Sequence, residues 1–136
     1  MILIDSNVLL DILDEDSEWY AWSSETVIRS ANGSMVAINP VIYAEASIRF
    51  ASPEEFDEVF PEAVFRREPL PFLAGFLAGK AHFEYKRRGG VRGVTLPDFF
   101  IGAHAAVSGF RILTRDPRRF RRYFPSVELI EPSKPA

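Results

Sequence analysis

Residues 1–10 read Met1-Ile2-Leu3-Ile4-Asp5-Ser6-Asn7-Val8-Leu9-Leu10. An apolar run stops abruptly at a carboxylate. A short run with no polar alternation is the pattern of a strand buried on both faces, as in a parallel sheet covered by helices on either side. Asp5 then stands at the carboxyl end of that strand, where open α/β sheets bind their ligands. An aspartate in that position loses hydration on folding, so it calls for hydrogen-bond donors or a cation.

Outward from this stretch, strands and helices alternate. Asn7 to Leu13 reads as a short helix, Asp14–Glu18 as a loop or first turn, and Ser17 to Ala31 as a helix stopped by Asn32-Gly33. Met35 to Ile38 is a second strand. Asn39-Pro40, an N-cap followed by proline, opens a helix reaching about Phe50 and carrying Glu45. Ser52 and Glu55 have capping-box spacing and start another. A longer helix runs from Phe72 to Arg88, ended by Gly89-Gly90 and a loop to Leu96. Pro97 starts a helix to Ser108, with Gly109 as its stop. Phe110 to Thr114 is a third strand, a short basic helix follows Pro117, and Val127 to Ile130 is a final strand. The alternation predicts a three-layer α/β/α sandwich with a mainly parallel central sheet. One domain is expected over residues 1–130, with a loose tail at 131–136.

Composition narrows the function classes. A chain of 136 residues, 47% hydrophobic and 13% aromatic, suffices for one folded core. The absence of cysteine removes disulfides, thiolate zinc sites and cysteine nucleophiles, and suits a reducing cytoplasm. The opening residues lack the basic start of a signal peptide. The longest apolar run, Leu70 to Ala78, is about half of the roughly 20 residues that span a bilayer. A soluble cytoplasmic protein is expected. The net charge of −3 conceals an asymmetry: residues 1–62 carry 13 acids and 2 bases (−11), residues 63–136 carry 6 acids and 14 bases (+8). The bases gather in two clusters, Lys80, Lys86, Arg87, Arg88 and Arg92, then Arg111, Arg115, Arg118, Arg119, Arg121 and Arg122. Such patches attract polyanions even on an acidic chain, although either could be a solvated helix face.

Four acids are candidates for chemistry: Asp5, Glu45 inside an apolar helix, Asp98 in the first turn of its helix, and Asp116 just past the third strand. Taken singly, three have plain readings. Asp98 serves as a helix-start residue, Asp116 as a turn residue or N-cap, and Glu45 as a solvated partner of Arg49 four residues on. If they converge, mutual repulsion disfavours joint ionisation without a cation. Mg²⁺ or Mn²⁺, hard ions that prefer oxygen, would then fit and could activate water against a phosphodiester.

Ile4-Asp5-Ser6-Asn7-Val8-Leu9-Leu10 resembles the first motif of PIN-domain nucleases, where a strand ends in Asp-Ser/Thr-Asn. Leu96-Pro97-Asp98-Phe99-Phe100-Ile101-Gly102-Ala103-His104-Ala105 resembles that family's helix bearing a further acid, Ile112-Leu113-Thr114-Arg115-Asp116 its late strand, and Glu45 its central glutamate. The order covers nearly the whole chain, and the length is similar to that of VapC-type toxins of bacterial toxin–antitoxin pairs. The resemblance implies Asp5, Glu45, Asp98 and Asp116 as the catalytic carboxylates, with Asp5 and Asp98 the central metal ligands and Ser6, Asn7 and Thr114 their hydrogen-bonding neighbours. It implies a Mg²⁺-dependent endoribonuclease, Mn²⁺ substituting, that hydrolyses RNA with metal-activated water and without a covalent enzyme intermediate. It also implies a small antitoxin partner and a homodimer. Arg115, Arg118, Arg119, Arg121 and Arg122 would hold RNA phosphates or an acidic partner segment. The run Pro117-Arg118-Arg119-Phe120-Arg121-Arg122 is more basic than the family pattern.

Other readings are carried alongside. PIN-type proteins include RNA-processing nucleases without a toxin role, and a PIN-like fold could bind a partner without catalysis. A dehalogenase-like aspartyl nucleophile would call for a second acid two residues after Asp5, where this chain has Asn7. His104 lies six residues past Asp98, about 240° round the helix, so it should not share that acid's face. His104 and His82 are read as structural or exposed. Gly75 and Gly79 are read as permitting close helix packing, and Trp19, Trp22, Phe72, Phe76 and Phe83 as core or a homodimer face.

Overall fold

The computed structural model describes residues 1–90 and 94–133. Five strands are present among them: β1 (Ile2–Ile4), β2 (Val36–Ile38), β3 (Phe65–Arg67), β4 (Arg111–Leu113) and β5 (Leu129–Ile130). They form one sheet in the order β3-β2-β1-β4-β5 with every pairing parallel. The first apolar run is therefore the central strand. All three of its residues are buried, as are all three of β2, because helices cover both faces. The described helices are α1 (Ser6–Ile12), α2 (Tyr20–Gly33), α3 (Pro40–Ser47), α4 (Pro53–Val59), α5 (Phe72–Arg87), α6 (Leu96–Ser108) and α7 (Arg118–Arg121). With the sheet between them they make the expected three-layer α/β/α sandwich. None is long and apolar enough to cross a membrane.

Local chemistry sets most boundaries. Asn39 accepts from the Ile42 backbone N–H at 2.9 Å, and Pro40 follows as the first residue of α3. Ser52 accepts from Glu55 N–H, while the Glu55 carboxylate reaches Ala51 N–H rather than that of Ser52, so the capping box is offset by one residue. Gly109 ends α6 at φ 69°, a conformation that suits glycine. Helix α2 begins at Tyr20, three residues later than expected. Asp14 accepts from Asp16 N–H and Ser17 from Trp19 N–H, and these side-chain turns compete with the first helical turn. Part of the expected loop up to Leu96, the basic cluster's Arg92 and the end of the tail lie outside the described residues. Within the described part of that tail, Glu131 pairs with Arg121.

Strand β3 was not anticipated. Its sequence, Phe65-Arg66-Arg67, has one apolar residue and two arginines, which suits an edge strand where charge discourages further pairing. Phe65 packs edge-on against Phe60 at 5.2 Å between ring centroids and joins the cluster of Phe50, Phe56 and Phe60. That contact, together with the pairing to β2, holds β3 in place despite its two arginines.

The long helix α5 corrects one expectation and narrows another. Phe72, Phe76 and Phe83 are 101%, 67% and 63% exposed, so they are not core. Gly79 faces open space and Gly75 only touches Phe100, while Ala74 and Ala78 are the residues buried on this helix. Those alanines, rather than the glycines, let α5 approach its neighbours. The glycine that packing does require is Gly102 in α6, where a Cβ would lie 2.2 Å from the Phe124 ring.

Because Phe124 is itself buried, the ring has little room to turn. Gly102→Ala is expected to destabilise the protein by about 1–3 kcal/mol, whereas Gly79→Ala should be neutral or stabilise by up to about 1 kcal/mol through helix propensity. Urea unfolding of the two variants checks this, and equal midpoints would contradict the assigned packing.

Candidate functional site

From β1 the chain builds β2 and β3 on one side and later β4 and β5 on the other. The β1–β4 boundary is the switch point of the sheet, where opposed connections leave a crevice beyond the carboxyl ends. Asp5 directly follows β1, Thr114 directly follows β4, and the carboxylates expected from sequence gather around them.

Asp5 is fully buried. Its Oδ2 accepts from Thr114 Oγ1 at 2.8 Å and from Arg119 Nη1 at 3.5 Å, while its Oδ1 has no hydrogen-bond partner. Thr114 Oγ1 also accepts from Asp116 N–H at 3.0 Å, so one hydroxyl orients Asp5 and fixes the turn that carries Asp116. Asp98, also fully buried, divides its two oxygens between two tasks. Oδ2 accepts from Thr95 N–H at 2.8 Å and from Thr95 Oγ1 at 3.0 Å, which is the plain helix-start role. Oδ1 makes no hydrogen bond and lies 3.4 Å from Arg119 Nη1. Glu45, half-buried on α3, accepts from Ser6 Oγ at 2.9 Å, so its partner is Ser6 and not Arg49. The side-chain carbonyl of Asn7 is buried without a partner.

Arg119 stands among these acids. Besides Asp5 and Asp98, its Nε lies 3.8 Å from Asp116 Oδ2. Asp116 also takes Arg118 Nε at 3.3 Å. The structure thus brings Asp5, Asp98 and Asp116 to one guanidinium, with Glu45 close enough to be coupled electrostatically to Asp98 and to Arg119. Among the described residues no three acidic or imidazole side chains close into a ready-made ion cage. The acids are arranged round Arg119 instead.

Burial is the main cause that pushes the Asp5 carboxyl up, to about 6. Asp98 and Glu45 act in the same direction, and Arg119 and Thr114 oppose it. Glu45 is raised too, chiefly by burial. Two buried carboxylate oxygens without donors, in a cluster of oxygen ligands, fit a hard divalent cation. Asp5 and Asp98 would hold it through their Oδ1 atoms, neither of which accepts a hydrogen bond, with Glu45 and Asp116 beside them.

The remaining candidates separate by direction. Arg118, Arg121 and Arg122 are on the outer surface, with Arg122 over the Tyr123 ring. Arg115 turns inward to Asp11, Nε to Oδ2 at 2.8 Å. Asp11 also accepts from Ser23 at 2.8 Å and Ser17 at 3.3 Å, so it ties the loop of Asp116 to α1 and α2. Sequence reasoning missed this brace, because nothing local links residue 11 to residue 115. It also missed the inward turn of Arg119, for which the spacing of three residues from Asp116 was the available signal. His104 is structural. The Asn39 amide donates to its Nδ1 at 3.1 Å, and burial lowers its pKa, keeping the ring neutral.

A parallel α/β/α sandwich with a carboxylate cluster at its switch point defines a class of acidic-site α/β proteins. The PIN domain family model matches residues 2–124, and the chain belongs to that family. A search of curated proteins finds no match. Among solved structures, the chain is similar to one in VapBC2 from Rickettsia felis bound to a DNA fragment from their promoter, with TM-score 0.72, 17% identity, and 98% of this chain and 100% of that one covered. It is similar to one in VapBC-1 from nontypeable Haemophilus influenzae, with TM-score 0.72, 13% identity and coverages of 96% and 98%. A toxin–antitoxin complex from Klebsiella pneumoniae gives TM-score 0.66, 18% identity and coverages of 93% and 95%. At these identities the likeness is one of fold.

The raised carboxyl of Asp5 has a consequence for stability. The folded state binds this proton more tightly than the unfolded chain, so between 3.8 and about 6 acidification favours the fold. In EDTA, Asp5→Asn is expected to raise Tm at pH 7, with the gain shrinking as pH falls through this window and vanishing near pH 4. Thermal melts at several pH values measure the difference, and a gain independent of pH would contradict the burial argument.

Proposed function

We propose that this chain is a Mg²⁺-dependent endoribonuclease, with Mn²⁺ able to substitute, and the toxin of a toxin–antitoxin pair. The observation that carries the reading is the pair of buried carboxylate oxygens without a hydrogen bond, Asp5 Oδ1 and Asp98 Oδ1, in an acidic crevice at the switch point. Asp5 and Asp98 hold the ion, and Glu45 and Asp116 complete its surroundings. A bound Mg²⁺ supplies the activation of water and the polarisation of the phosphodiester. Thr114 and Ser6 keep Asp5 and Glu45 in place, as a precise site requires. The exposed Arg118, Arg121 and Arg122, the first two also paired with Asp116 and Glu131, supply positive charge for RNA phosphates.

Two surfaces support protein partners. An apolar trench of Pro40, Val41, Ala44, Leu96, Pro97 and Phe100 runs beside Glu45, where a small antitoxin could reach the acids. The exposed phenylalanines of α5 suit a homodimer face, because single large apolar groups are common on surfaces but contiguous ones mark contacts. The lack of cysteine and of a membrane-length helix among the described residues suits action in the cytoplasm.

Purified chain incubated with total cellular RNA tests the activity. Cleavage is expected with Mg²⁺ or Mn²⁺, none with EDTA, and none with folded Asp98→Asn. Full metal-dependent cleavage by Asp98→Asn would overturn the site, and a folded, metal-binding protein that leaves all RNA intact would favour a non-catalytic binding module.

A further inference from the structure

Asp11 and Asp5 are both buried aspartates that face arginines, yet they are held differently. Both oxygens of Asp11 are engaged, by Ser17, Ser23 and Arg115, and the Arg115 contact is 2.8 Å. That is the length of a well-formed charge-assisted hydrogen bond. Arg119 instead lies 3.4, 3.5 and 3.8 Å from Asp98, Asp5 and Asp116. Its single charge is spread over three carboxylates and offsets only part of theirs, and it leaves Asp5 Oδ1 and Asp98 Oδ1 with no hydrogen bond. Arg115 is therefore a structural brace, whereas Arg119 is a loosely held charge.

Its mounting suits withdrawal. Arg119 belongs to α7, a helix of four residues anchored by the buried ring of Phe120. Its own side chain is 24% exposed, so it is not sealed inside the protein. The side chain can swing outward while Phe120 stays fixed.

We propose that Arg119 is a tethered counter-cation of the acid cluster: it offsets part of the charge of Asp5, Asp98 and Asp116 in the free protein and has to withdraw when a divalent ion binds. The inference rests on the reading of this cluster as a metal site. Guanidinium and ion would share Asp98 Oδ1 and divide the two oxygens of Asp5 between them, and two cations so close repel, so they are linked antagonistically. Arg119 thereby sets how much ion is needed to load the site, and it spares the free protein several uncompensated buried charges.

The test is calorimetric titration with Mn²⁺, without RNA, of the wild type, Arg119→Gln, Arg118→Gln and Asp98→Asn. Arg119→Gln should bind Mn²⁺ about tenfold more tightly, within the usual range of coupling between sites, and should melt at lower temperature in EDTA. Arg118→Gln removes the same charge from an exposed position, so its gain should be much smaller. A second readout uses the wild-type fold. The Arg119 Nε–H resonance, assigned by its loss in Arg119→Lys, should shift as Mg²⁺ saturates the site. If Mn²⁺ binds and needs Asp98, yet Arg119→Gln binds no more tightly and the resonance stays put, the counter-cation role is overturned and the metal site stands. If the wild type binds no Mn²⁺, or Asp98→Asn binds it equally well, the metal reading itself falls and this role with it.

Discussion

The structure depends on the burial of one carboxylate, that of Asp5, at the end of the central strand. Burial there is costly unless charge and hydrogen bonds offset it. The compensation comes from elements remote in sequence: Thr114 after β4, Arg119 on α7 and, at one further step, the Thr114 hydroxyl holding the Asp116 turn. Asp98 and Glu45 add like charge instead, and push the Asp5 carboxyl up. The crevice is thus a place where stability is given up to gather acids, an arrangement that favours binding a cation.

Sequence and structure agree where the pattern is local. The apolar run of β1 needs no partner to be recognised, and Asp5 follows it immediately. Asp98 directly follows Pro97 and Asp116 directly precedes Pro117, the two prolines that mark the neighbouring helix starts. The family resemblance carried by these motifs holds, and the three-layer parallel architecture follows from the same alternation. What sequence reasoning missed is what depends on distant partners. Strand β3 exists because Phe65 finds Phe60 and because β2 offers a free edge. Asp11 meets Arg115 across most of the chain length. Arg119 looked like part of an outward basic patch, since composition gives a charge without its direction.

The same ambiguity explains α5. Aromatics at helical spacing mark an apolar face, but not whether that face meets the protein's own core or a partner. Here the small residues Ala74 and Ala78 take the inward side and leave Phe72, Phe76 and Phe83 outside. An apolar face left exposed and acids clustered round one guanidinium are two departures from what stability alone favours. Such departures are expected where function acts on a fold.

The most direct measurement is a crystal structure of the chain soaked in Mn²⁺, with anomalous scattering used to locate the ion. The account predicts a peak bonded to Asp5 Oδ1 and Asp98 Oδ1, with the Arg119 guanidinium moved away from both. A peak elsewhere, or none in a crystal whose acids stay closed round Arg119, would contradict it.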